Sequence, residues 1–254
     1  MDHFQHHQFI SPGYTLMMVL GLVVGALLWG RRLGDRPELV VVLAAGLIGA
    51  LIGAKLGYVL AEAWVLWGDG HFWHHMLVGK TVVGALLGGY AGVELGKRFA
   101  GYRDHTGDAF AVAVPVGLAL GRAGCLMHGC CRGLSCDNDT WWAVADHAAV
   151  ASGGGVFYYP AAGVELVFNL GCAAVLLGLR RGGKYPGNLF HLYLIAYGLF
   201  RIAHEPLRAT PKVLPGVSAY SLLALGLVVL GAVRWRQRRA SIPSPPEPPT
   251  PPTR

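Results

Sequence analysis

Charged side chains set inside apolar stretches are the first places to look for chemistry, because each costs several kcal/mol there unless it is paired or faces water. Arg122 closes one such stretch in Gly121-Arg122-Ala123-Gly124-Cys125. Arg201 and Glu205 lie one helical turn apart in Tyr197-Gly198-Leu199-Phe200-Arg201-Ile202-Ala203-His204-Glu205, and Glu165 opens another stretch after Tyr159-Pro160. At i,i+4 spacing Arg201 and Glu205 are able to neutralise one another as an ion pair. The alternative is that Arg122 and Arg201 converge on an anion, because a guanidinium offers planar, forked donors matched to phosphate oxygens. At membrane depth the most available anion is a phospholipid. Glu165 then reads as a counter-ion or a general base. Tyr14, at the outer end of the first run, reads as an interfacial aromatic.

A second cluster follows directly. Cys125, Cys130, Cys131 and Cys136 fall in one short stretch with His128 among them, whereas Cys172 stands alone in an apolar run as a small hydrophobe. The spacing Cys-x2-His-x-Cys-Cys-x4-Cys matches no standard zinc pattern. A disulfide, a soft-metal site, a thiol activated by Arg122 and Arg132, and small packing residues at a glycine-rich turn all remain open. No metal and no cofactor are assigned. The histidines at 3, 6, 7, 71, 74 and 75 read as incidental polar residues.

The elements that must position these groups are apolar runs, at roughly 14–30, 39–66, 81–96, 107–121, 162–179, 187–205 and 217–235. A helix crossing about 30 Å of hydrocarbon needs about 20 residues, so several runs need tilt or flanking residues. Composition agrees: 54% of residues are hydrophobic and 14% charged, where soluble domains average about 25% charged. Seven spans would place thirteen Lys and Arg residues on one side, from Arg31, Arg32 and Arg36 to Arg238 and Arg239, against Lys80, Arg122, Arg132, Arg208 and Lys212 on the other. The positive-inside rule then predicts an external N-terminus and a cytoplasmic C-terminus. Lys55 reads as a snorkelling or inward-paired residue, and Glu94 as a partner of nearby Lys97 and Arg98.

The expected architecture is an all-α polytopic membrane protein. It has an external segment at 1–13, a seven-helix membrane domain at 14–235, and a basic then proline-rich tail at 236–254 that is too poor in apolar residues to pack. Trp141 and Trp142 read as outer-interface anchors. The first run lacks the basic n-region of a signal peptide and is read as a retained helix. The net charge of +7 sits in clusters at the ends of the runs, not on a basic face, which excludes nucleic acid as a partner.

These motifs resemble those of the bacterial prolipoprotein diacylglyceryl transferases over roughly residues 14 to 235. Gly121-Arg122-Ala123-Gly124 is similar to the family's Gly-Arg-x-Gly signature. Tyr197-Gly198-Leu199-Phe200-Arg201 with Glu205 is similar to its Tyr-Gly-x-x-Arg-x-x-x-Glu block. Tyr159-Pro160 with Glu165 is similar to its His/Tyr-Pro-x-Gln-x-x-Glu segment without the glutamine, and Tyr14 falls where the family has a first-helix tyrosine. The resemblance implies a bacterial inner-membrane enzyme that moves the diacylglyceryl group of phosphatidylglycerol to the thiol of a lipobox cysteine in an exported preprotein, releasing glycerol phosphate. It implies that Arg122 and Arg201 hold the phosphate, that Glu205 orients Arg201, and that Tyr14 assists at the headgroup or thiol.

Two departures stand out. The third-span motif has a histidine in the family, where this chain reads Thr81-Val82-Val83-Gly84-Ala85-Leu86. The signature's later Asn and Glu positions hold Cys125 and Cys130. His128 and His204 are the substitute bases nearest in sequence. Two other readings remain: a paralogue using the cysteines for redox, sulfur or metal chemistry, and a non-catalytic lipid-binding or transport protein.

Overall fold

The computed structural model describes residues 12–33, 36–104, 106–136, 144–145, 157–214 and 217–240. Residues 1–11 of the external segment, the tail beyond 240, and Trp141 and Trp142 lie outside these residues, while Pro12 and Gly13 already belong to the first helix.

Eight helices carry the described chain: α1 (Pro12–Leu33), α2 (Pro37–Leu66), α3 (Phe72–Val78), α4 (Val82–Phe99), α5 (Gly107–His128), α6 (Ala161–Arg181), α7 (Leu189–His204) and α8 (Ala219–Ala240). A short 3-10 turn, Glu205–Leu207, continues α7. Each apolar run lies in a helix because hydrocarbon offers no partner for backbone N–H and C=O groups, which must therefore bond within the segment.

Among the described residues five helices are long and apolar enough to cross a membrane, and six if α3 and α4, bent by 55° at their junction, count as one span. Helix α7 has 16 residues and falls short of that length. The expectation of seven full spans is thus met at the coarser level of a mostly helical protein with several spanning helices. Its outward faces are apolar, with Leu27, Leu51, Leu60 and Val167 all more than two-thirds exposed. Such surface suits lipid and would be a liability in water.

Helices α2 and α4 lie backbone to backbone. A Cβ at Gly53 or Gly88 would collide with the facing helix, at the Gly84 carbonyl and the Gly49 carbonyl respectively. Small residues at four-residue spacing permit this approach, which replaces the hydrophobic driving force missing within lipid by close van der Waals contact.

The central core joins α4, α5, α6, α7 and α8 through Leu86, Val112, Leu176, Tyr193, Tyr197 and Leu227. Asp108, in the first turn of α5, accepts hydrogen bonds from the backbone N–H of Gly187 and Leu189 at 2.6 and 3.3 Å. This fixes the start of α7 beside the start of α5, so the far ends that carry Arg122 and Arg201 also meet.

A small cap covers that end. Strands β1 (Ser135–Cys136), β2 (Val144–Ala145) and β3 (Phe157–Tyr158) form an antiparallel sheet in the order β1-β3-β2. Strands β4 (Lys212–Leu214) and β5 (Val217–Ser218) pair separately. Between them, the Leu134 N–H bonds the Leu207 carbonyl at 3.0 Å and the Gly133 N–H bonds the Tyr159 carbonyl at 2.9 Å. The segment after α5 is thereby laced to the start of α6 and the end of α7.

Candidate functional site

The end of α5 is set by its C-cap. Gly129 takes φ +73°, and its N–H satisfies the carbonyls of Cys125 and Leu126, as a left-handed C-terminal residue should. Two turns earlier, Arg122 projects from α5 to Glu165 on α6, with Nη2 2.9 Å from Oε1. Tyr197 on α7 donates its hydroxyl to the same oxygen at 2.7 Å. The other carboxylate oxygen of Glu165 lies 3.6 Å from Arg208 Nη1 and 3.9 Å from Arg201 Nη1. A wholly buried Glu165 thus stands at the centre of three guanidiniums.

Its position is braced from beneath. Asn169, one turn on in α6, donates to the Glu165 carbonyl at 2.8 Å and accepts the Tyr193 hydroxyl at 2.7 Å.

Arg201 is held separately by Glu205, Nη2 to Oε2 at 2.8 Å, in the i,i+4 pair read from the sequence. Glu205 in turn accepts the hydroxyls of Thr210 and Ser218. Lys212 caps the 3-10 turn by donating to the Glu205 carbonyl at 2.8 Å.

Three buried guanidiniums therefore face two buried carboxylates. Nε and Nη1 of both Arg201 and Arg208 make no hydrogen bond among the described residues. Burial, reinforced by Arg201 and Arg122 alongside, holds the Arg208 guanidinium below its ordinary pKa. Such a surplus of oriented donors is what an anion with several oxygens would satisfy.

These groups border a cavity of about 370 Å³. Arg122, Arg201, Arg208, Cys125 and Cys131 line it together with Tyr14, Tyr58, Glu62, Lys80, Thr81 and Tyr220. Glu62 accepts the Tyr220 hydroxyl. Apolar and small residues, among them Met18, Ala54, Val83 and Leu118, complete the wall, so a charged end and an apolar body are accommodated together.

The cysteine cluster divides. The sulfur atoms of Cys125, Cys130 and Cys131 all lie within 4.8 Å of one another, whereas Cys136 sits apart on β1. All five cysteines are free thiols, so the disulfide reading is not realised. Arg122 Nη1 lies 3.9 Å from Cys125 Sγ. Hydrogen bonds from Cys125 and Cys130 hold the Cys131 thiol well below its ordinary pKa, and the same cluster pushes Cys130 up.

The two candidate histidines do not line the cavity. His204 is buried between Phe200 and Tyr159, with ring centroids 5.0 and 5.5 Å away. His128 lies against Tyr14 at 5.9 Å. Gly124 permits Tyr14 to come this close, since a Cβ there would sit 3.2 Å from Tyr14 and Met17 side-chain atoms. Elsewhere, Lys55 donates to the Met76 and Leu77 carbonyls and Glu94 pairs with Lys97 at 3.6 Å.

Sequence reasoning did not single out Arg208, Glu62 or Tyr220 as site residues. Arg208 carried a signal, since Arg201, Glu205 and Arg208 follow i, i+4, i+7 spacing and share a face if the helical path continues. Glu62 was detectable as the one acid deep in the apolar run of α2. Nothing local marks Tyr220.

The family model described as prolipoprotein diacylglyceryl transferase matches residues 4–236. A phosphatidylglycerol–prolipoprotein diacylglyceryl transferase of Leifsonia xyli subsp. xyli is 32% identical over 242 residues, covering 87% of this chain and 72% of the relative. The protein of the same name from Gloeobacter violaceus is 31% identical, covering 90% and 89%. Another from Dehalococcoides mccartyi is 28% identical, covering 89% of each.

Proposed function

The chain belongs to the prolipoprotein diacylglyceryl transferase family, and from that membership we propose that it moves the diacylglyceryl group of phosphatidylglycerol to the cysteine thiol of an exported prolipoprotein. The observation that carries this reading is the meeting of Arg122, Arg201 and Arg208 around Glu165 in the wall of a cavity whose remaining lining is largely apolar. A phospholipid has the same division between an anionic head and apolar chains.

In the reaction, the acceptor thiol attacks the glyceryl carbon bonded to the phosphate oxygen. The carbon–oxygen bond breaks and glycerol phosphate departs with the electron pair. Charge grows on the leaving phosphate, so donors already oriented toward it stabilise the transition state more than the ground state. Arg122 and Arg201 hold the phosphate, with Arg208 as a third donor. Glu165 and Tyr197 fix the direction of Arg122, and Glu205 fixes that of Arg201. Tyr14, at the cavity edge, contacts the headgroup or the incoming thiol.

The protein works in the bacterial cytoplasmic membrane, with seven helices crossing it, the N-terminus outside and the C-terminus inside. The thirteen-to-five distribution of Lys and Arg supports this orientation. The site then opens on the outer side, where exported preproteins emerge.

The test is transfer of radiolabelled diacylglycerol from phosphatidylglycerol to a lipobox peptide by the purified protein, beside Arg122→Ala and Arg201→Ala. Label on the peptide cysteine that disappears in both variants is the expected result. No label with folded wild type removes the reading.

A further inference from the structure

A thiol must lose its proton to become a strong nucleophile, and the cavity offers little to take it. Among the described residues its wall holds no histidine. The α4 side presents Thr81, Val82, Val83 and Ala85. Glu165 and Glu205 are tied to arginines, and Glu62 is engaged by Tyr220.

The same wall carries a different device. Cys125, Cys130 and Cys131 place three sulfur atoms within 4.8 Å of one another. Tetrahedral zinc–thiolate bonds of about 2.3 Å put ligand sulfurs about 3.8 Å apart, a distance that side-chain rotation reaches from here. Adjacent cysteines seldom point to one centre, because neighbouring side chains diverge along a chain. Here the left-handed turn at Gly129 is followed by a left-handed Cys131, φ +59°. That conformation is uncommon for a residue with a Cβ, and here it turns Cys131 back toward Cys125 and Cys130. Three thiolates around a divalent cation carry one net negative charge, and Arg122 stands 3.9 Å from Cys125 Sγ to balance it. Structural zinc sites close with four protein ligands, whereas catalytic ones keep a position open. With Cys136 apart on β1, this cluster has three ligands among the described residues, and Cys125 and Cys131 border the cavity.

We propose that Cys125, Cys130 and Cys131 bind one zinc ion whose open fourth position takes the thiol of the acceptor peptide. The inference rests on the transferase reading above. Coordination converts the acceptor thiol to a thiolate, an activation that needs neither a histidine nor the arginine-bound Glu165 and Glu205. The metal-bound sulfur attacks the glyceryl carbon, the carbon–sulfur bond forms and the carbon–oxygen bond breaks. The electron pair goes to the phosphate oxygen, and the proton released on coordination is taken up by the departing glycerol phosphate. Zinc is neither oxidised nor reduced, and the neutral thioether product binds it weakly and leaves.

The experiment uses the full-length protein in detergent, stripped of metal and titrated with Co(II) as a visible probe, then with Zn(II) in competition. One cobalt per chain with a thiolate charge-transfer band is expected. The band should vanish in Cys125→Ser, Cys130→Ser and Cys131→Ser, and persist in Cys136→Ser and Cys172→Ser. Adding a lipobox peptide should shift the band, and the same peptide with serine for cysteine should not. Metal removal should lower transfer at least a hundredfold, with recovery on adding Zn(II). Wild type that binds no stoichiometric cobalt, or a band unmoved by the peptide, overturns the proposal. Because these readings are made on the wild type, they do not depend on the variants folding. Transfer that persists without metal while Glu62→Gln abolishes it also overturns the proposal, but leaves the transferase reading intact. Absence of transfer with or without metal removes the transferase reading itself, and this role of the zinc with it.

Discussion

Arg122 on α5 and Glu165 on α6 form an ion pair at 2.9 Å across 43 residues of chain, and Tyr197 on α7 donates to the same carboxylate. One acid therefore ties together the three helices that carry the candidate chemistry. Removing one partner of a buried ion pair leaves a desolvated charge without compensation, which costs about 3–5 kcal/mol.

Glu165→Ala is accordingly expected to destabilise the protein by about that amount, about 3–5 kcal/mol, and to abolish transfer. Thermal unfolding in detergent beside the transfer assay measures both. A variant that melts with wild type would show that the three guanidiniums do not depend on this carboxylate.

Tyr197→Phe removes one hydroxyl and keeps the ring. A hydrogen bond to a charged group contributes about 1.5–3 kcal/mol, so a moderate loss of stability is expected. If Tyr197 positions Glu165 and through it Arg122, kcat should fall more than KM for phosphatidylglycerol changes. Equal changes in both would point to a binding role instead.

Arg122→Lys and Arg201→Lys retain charge but lose the planar fork. Removal of a single preorganised donor to a developing anion typically costs about 10²–10³ in rate. Both lysine variants should therefore resemble the alanine variants in the transfer assay, not wild type. Recovery to within a few-fold would show that charge alone suffices.

The surplus of guanidinium over carboxylate predicts linkage to anions. Glycerol phosphate should raise the melting temperature of wild type, by an amount corresponding to about 2.7 kcal/mol at a hundred times its Kd. Burial beside two other arginines already penalises charge on Arg208, and a bound dianion relieves that penalty. The shift should shrink in Arg208→Ala. An equal shift in that variant would place the anion elsewhere.

The α2–α4 contact makes a contrast between two glycines. Gly53→Ala drives a Cβ into the Gly84 carbonyl, while the space around Gly25 is open. Overpacking of this kind costs about 1–3 kcal/mol, whereas Gly25→Ala, inside a helix with open space around it, should leave stability unchanged or raise it by up to about 1 kcal/mol. Similar melting curves for the two variants would argue against the close approach of these helices.

The amino-acid sequence by itself determined the solvent in which this protein works, because long apolar runs and a 14% charged fraction leave few alternatives to lipid. It also exposed Arg122, Glu165, Arg201 and Glu205, since a charge inside an apolar run stands out whatever surrounds it. The pairing of Arg201 with Glu205 was legible because it is local, one turn along one helix. What lay beyond the sequence is contact between distant segments. Helical periodicity does not say that Glu165 meets Arg122, Arg201 and Arg208 together, nor that Tyr220 reaches Glu62 across 158 residues. Four clustered cysteines read as one group, yet the left-handed turn at Gly129 and Cys131 gathers three and leaves Cys136 on a strand. His128 and His204 were near the motifs in number, and the directions in which their helices present them keep both off the cavity wall. Local propensity sets which segments are helices, while tertiary packing sets which helix faces meet, and only the second brings charges from three segments to one carboxylate on a fourth.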